Sequence, residues 1–77
     1  MNKARRKKLE KILEQVEDCR LELEELRDEE QEAFDNMPEG LQESERGGRI
    51  EEAASSLENA VCSLEEFADY VQEAIDA

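Results

Sequence analysis

The groups in this 77-residue chain that could do chemistry are 23 carboxylates and two thiols, set against ten basic side chains and no histidine. Four adjacent glutamate pairs, Glu24-Glu25, Glu29-Glu30, Glu51-Glu52 and Glu65-Glu66, come closest to a carboxylate metal site or a paired acid–base catalyst. Neighbouring residues on a helix point about 100° apart, so such pairs do not converge on one ion or one substrate. Carboxylate di-iron bundles add histidines to their glutamates, and calcium loops have a spacing that does not occur here. The pairs therefore read as solvated helix faces. With no nucleophile–base pair and no phosphate-cradling loop, the expectation is a protein without catalytic, metal or cofactor-binding residues, and not an enzyme.

Cys19 and Cys62 are too few for a disulfide scaffold. The basic residues that open the chain are followed by no apolar segment of the kind a secretory signal carries. Both points favour reduced thiols in the cytoplasm. The longest apolar runs are two residues, as in Ile12-Leu13 or Ala53-Ala54, where a membrane span needs about 20. The cluster Lys3, Arg5, Arg6, Lys7, Lys8 is a candidate nucleic-acid patch. Residues 1–11 sum to +5, but residues 12–77 sum to −18, and so large an acidic remainder repels phosphate. Direct nucleic-acid binding is not expected.

High charge and few aromatics also mark disordered chains, but here they coexist with strict periodicity. Ile50, Leu57, Leu64 and Val71 recur every seven residues, and so do Ala53, Ala60, Phe67, Ala74 and Ala54, Val61, Ala68, Ile75. These occupy heptad positions a, d and e over four heptads, an apolar stripe broad enough for more than one neighbour. In the first half, Leu9, Ile12, Val16, Cys19, Leu23, Leu26, Glu30, Ala33 and Met37 alternate spacings of three and four, with Leu13 and Phe34 widening one flank. Glu30 interrupts that stripe, and Leu21 falls on the outer face. The breakers cluster at Asn36-Met37-Pro38-Glu39-Gly40 and at Gly47-Gly48. Pro38 ends the first helix and opens a short helical turn after it. Leu41 is expected to cap the core, and Gly47-Gly48 either ends the turn or lies within a longer second helix.

The expectation is an all-α, coiled-coil-like antiparallel two-helix hairpin forming one domain over residues 1–77. Helix 1 covers about 3–35, the turn about 36–48 and helix 2 about 49–76. With partner indices summing to about 82, Val16 meets Leu64, Phe67 and Ala68, and Leu23 meets Leu57 and Ala60. The basic residues at the start of helix 1 and Asp69, Glu73 and Asp76 at the end of helix 2 each oppose their own helix dipole. Folding back makes the two clusters neighbours. Cys19 reads as a small core residue, Cys62 as an exposed one, and Arg46 or Arg49 as the partner of Glu30. A lone hairpin leaves one flank of its stripes wet, so a homodimeric four-helix bundle is expected.

Residues 26–49, with Asp35-Asn36-Met37-Pro38-Glu39-Gly40-Leu41-Gln42-Glu43-Ser44-Glu45-Arg46-Gly47 at their heart, together with Leu57-Glu58-Asn59-Ala60 and Leu64-Glu65-Glu66-Phe67, carry a resemblance to a known group. The chain resembles small, mostly uncharacterised acidic helical-hairpin proteins of bacterial mobile elements and phages over residues 21–75. The resemblance implies the cytoplasm of a bacterial host and brings no established activity. An acidic rod attracts basic surfaces. The expected function is thus that of a non-enzymatic binding protein that occludes or regulates a basic partner, nucleic-acid-handling in the most specific form, where the rod mimics DNA. The alternative is a structural oligomerisation or accessory module with no inhibitory role. Candidate partner-binding residues are Leu21, Glu51, Glu52, Glu58, Glu65, Glu66 and Tyr70.

Overall fold

A computed structural model describes residues 1–77 as three helices and no strand: α1 (Lys3–Asp35), α2 (Glu39–Gln42) and α3 (Glu45–Asp76). α1 and α3 run antiparallel, packed along a rod of 58 × 15 × 12 Å, with α2 as the cap over the turn. No helix is long and apolar enough to cross a membrane.

Local chemistry sets the helix ends. Asn2 caps α1 by accepting the Arg5 amide on its Oδ1 at 2.8 Å. At the other end Pro38 has no amide to continue the helix. The chain instead bends so that the Met37 amide reaches the Phe34 carbonyl at 3.1 Å, and the Gln42 side chain donates to that same carbonyl at 3.0 Å. Ser44 then caps α3, accepting the Gly47 amide on Oγ at 3.2 Å. α3 therefore begins at Glu45, four residues before the expected start, and both glycines sit in its first turn. Gly47 is buried because α2 folds directly onto it: a Cβ there would overlap the carbonyl oxygens of Leu41 and Gln42. Gly48, by contrast, faces open space.

The seam between the long helices uses one expected stripe and turns the other. α3 contributes Ile50, Ala54, Leu57, Val61, Leu64, Ala68, Val71 and Ile75, which are heptad positions a and e; Val61 is the deepest, 2% exposed. α1 contributes Leu9, Leu13, Val16, Arg20, Leu23, Arg27, Glu30 and Phe34. Ile12, Cys19, Leu26 and Ala33, expected in the core, are all exposed. α1 keeps Leu9, Val16, Leu23 and Glu30 inward but is turned by about half a residue, or about 50°, from the expected orientation, so that Leu13 and Phe34 face inward with the two arginines between them. The reason is the length of arginine: its apolar stem can lie along the seam while the head stays wet, and small Ala54, which lines the same groove as Arg27, leaves room for that stem. The register shifts slightly too. Arg27 meets Glu58 and Arg6 meets Ala77, index sums of 85 and 83 against the expected 82 or so.

Candidate interaction surfaces

Because α1 and α3 run in opposite directions, positions at the same offset from the seam in each heptad fall on the same side of the hairpin. One side carries Glu10, Glu17, Glu24 and Gln31 from α1 opposite Glu51, Glu58, Glu65 and Gln72 from α3. The other carries Ile12, Cys19, Leu26 and Ala33 opposite Ala53, Ala60, Phe67 and Ala74. Two shallow grooves confirm the division: Arg27, Gln31, Ala54 and Glu58 line one, and Ala33, Met37, Leu41, Arg46 and Ile50 line the other. The rod is amphipathic in cross-section.

On the charged side the two seam arginines reach outward into carboxylates. Arg20 pairs with Glu17 and, at 2.6 Å, with Glu24. The Arg20 hydrogen bond holds the Glu17 carboxyl below its ordinary range, and Glu17 in turn raises the Arg20 guanidinium, helped by Glu24 and by Glu65 across the groove. Arg27 bridges the helices, binding Asp28 at 3.0 Å on its own helix and Glu58 at 2.5 Å on α3. Cys62 donates a weak hydrogen bond to Glu58 at 3.7 Å. Partial desolvation of its sulfur, then the charges of Glu58 and Glu65, push its thiol up. Both cysteines are free.

The candidate partner-binding residues do not converge on one site. Glu51, Glu58 and Glu65 line the charged side at seven-residue intervals, Glu58 already engaged by Arg27 and Glu65 within the field of Arg20. Glu66 and Tyr70 share a shallow depression with Asp69 and Glu73, and Tyr70 is 72% exposed. Glu52 lies on the back of α3, and Leu21, half exposed, lies on the back of α1 on the side away from Tyr70. Two further expectations fail locally. Glu30 pairs with neither Arg46 nor Arg49, and Arg49 is held instead by Glu45 at 2.5 Å, one turn away on its own helix. Leu41 is more than half exposed and does not cap the core. At the open end of the rod, only Arg6 of the basic cluster makes a direct contact, donating to the main-chain oxygen of Ala77 at 3.2 Å.

Sequence reasoning missed Arg20 and Arg27 as seam residues, although Leu13 and Phe34 at the same seven-residue spacing carry the signal. It also missed the exposed Ile12–Leu26 face, which it had assigned to the interior. No group of three or more Cys, Asp or Glu side chains is arranged to hold a metal ion.

These features define an all-helical, acidic, amphipathic hairpin. No family model matches the chain, and neither the curated proteins nor the solved structures contain a match to it.

Proposed function

We propose that the protein is a small non-enzymatic binding protein that assembles as a homodimeric four-helix bundle and uses its carboxylate exterior to occlude or regulate a basic partner protein. The observation that carries the reading is the surplus of unpaired acid. Ion pairs engage only Glu17, Glu24, Asp28, Glu45 and Glu58, which leaves 18 of 23 acidic side chains without a cation. Spread along a 58 Å rod, they form a field that draws in cationic surfaces and speeds encounter. In the most specific form the partner handles nucleic acid and meets the rod as it would a DNA backbone. A cytoplasmic setting in a bacterial host, of mobile-element or phage type, belongs to the same proposal and rests on the turn residues 35–47.

The test is retention of purified DNA-binding proteins on the immobilised chain. Retention that falls steeply with salt and is competed by duplex DNA supports the proposal; no retention at low salt overturns it. A second reading, an oligomerisation or accessory module with no inhibitory role, is favoured by the exposed apolar side at Ile12, Leu26 and Phe67. Partner capture that ignores salt and is lost in Phe67→Glu would select that reading.

A further inference from the structure

We propose that two copies pack head to tail through the apolar side of the hairpin, so that Cys19 of one copy meets Cys19 of the other at the twofold axis. This inference rests on the self-association in the proposed function and adds the face and the direction.

The face is under-covered for a folded chain. The hairpin exposes 5877 Å², where a compact protein of 8.9 kDa exposes about 4,800 Å². The excess, about 1,100 Å², is of the size that one partner contributes to a stable interface, about 800 Å². Only two apolar side chains, Ala54 and Val61, are fully buried within one copy, too small a core for so short a chain to rely on. Leu26 and Phe67 are 50% and 46% exposed, and both lie on this one side.

Charge sets the direction. Residues 20–64, the turn half of the rod, hold 14 acids and four bases, a net of −10. The remaining residues, at the open end, hold nine acids and six bases, a net of −3. A side-by-side dimer with both turns at one end sets −10 against −10. Head to tail, each −10 half lies against a −3 half, and the mutual repulsion falls.

The spacing is self-complementary in that arrangement. Cys19 is the midpoint of α1 (Lys3–Asp35). A twofold axis through it puts α1 on α1 of the second copy, with Ile12 facing Leu26. On α3 the register, with index sums of 83 to 85, places the axis near residues 64 to 66, so Phe67 of one copy falls between Ala60 and Phe67 of the other. On the outer flank it brings Lys8 beside Glu29 of the second copy, at the positions that select partners in antiparallel coiled coils.

Two measurements on the full chain test this. Sedimentation velocity at tens of micromolar reads self-association: a dimer is expected, with Phe67→Glu and Leu26→Glu shifting it to monomer while helicity is kept. Mild oxidation with copper phenanthroline then reads direction. The Cys62→Ser variant should form a covalent dimer through Cys19, and Cys19→Ser should not. Lys8→Glu should weaken the dimer roughly fivefold, and adding Glu29→Lys should restore it. A dimer by mass that fails to cross-link through Cys19, with no rescue by the charge exchange, overturns the head-to-tail arrangement and leaves self-association standing. A monomer at these concentrations overturns both.

Discussion

Arg27 of α1 and Glu58 of α3, 2.5 Å apart, make the one side-chain ion pair that joins the two long helices. All other ion pairs lie within a single helix. The pair sits on the charged side of the rod and fixes the axial register there, which the apolar seam alone fixes loosely because its residues repeat every seven positions. Glu58→Gln should lower the melting temperature slightly at low salt. The difference from the parent should vanish near about 1 M NaCl, where the screening length is only ~3 Å. A difference that persists unchanged at high salt would show that Glu58 acts through packing and not through charge.

The two glycines of the α3 first turn should respond to alanine with opposite signs. A Cβ at Gly47 meets the backbone of Leu41 and Gln42, which cannot move aside without undoing α2. Gly47→Ala should destabilise by about 1–3 kcal/mol, the range for overpacking a tight contact. Gly48 has nothing near its missing Cβ and already adopts helical backbone. Gly48→Ala should stabilise by about 0.5–1 kcal/mol. Urea unfolding of the two variants beside the parent checks both signs in one experiment.

Val61 is the largest side chain that one hairpin buries completely. Truncating it to alanine should cost about 2 kcal/mol, from lost apolar burial and the cavity left at mid-rod. The same change at exposed Ala-rich positions does not exist to be made, so Leu21→Ala serves as the control: its side chain is half exposed on the back of α1 and should shift thermal stability little. Equal losses for the two variants would contradict the seam described above.

The architecture was legible because its signals are local or strictly periodic. Four uninterrupted heptads specified α3, and a lone proline specified the turn. The early start of α3 was written in Ser44, three residues before Gly47, but a glycine pair reads first as a break, and only the close approach of α2 explains why a glycine is needed inside a helix. The orientation of α1 was not legible. Its apolar residues form two neighbouring stripes, and the alternating three–four spacing favours Ile12, Cys19, Leu26 and Ala33, with Leu13 and Phe34 at the flank, over a row of Leu13, Arg20, Arg27 and Phe34 that two arginines interrupt. The chain does the reverse because Arg20 and Arg27 find carboxylates on the charged side, and Arg27 shares a groove with the small Ala54 and Ser55 of α3. The candidate partner-binding residues failed to cluster for a related reason. Acidity or exposure marks each of them singly in the sequence, and only the two-helix cross-section shows which side of the rod each occupies.

The sulfur of Cys62 gives a readout of the charged side. Its thiol is pushed up by partial desolvation first and by Glu58 and Glu65 second, so at a given pH less of it is thiolate than in a free cysteine. In a Cys19→Ser chain, iodoacetamide should therefore react with Cys62 more slowly than with glutathione at about pH 8, and the midpoint of its rate–pH curve should lie above that of the free thiol, about 8.5. Added salt screens the glutamates and should recover part of the rate, whereas the desolvation share stays. Glu58→Gln should speed the reaction at low salt by removing the nearest charge, since the amide oxygen can still accept the thiol hydrogen. A rate equal to that of the free thiol at every pH would mean that Glu58 and Glu65 do not gather around Cys62, and would remove one support for the acidic field that the proposed partner binding uses.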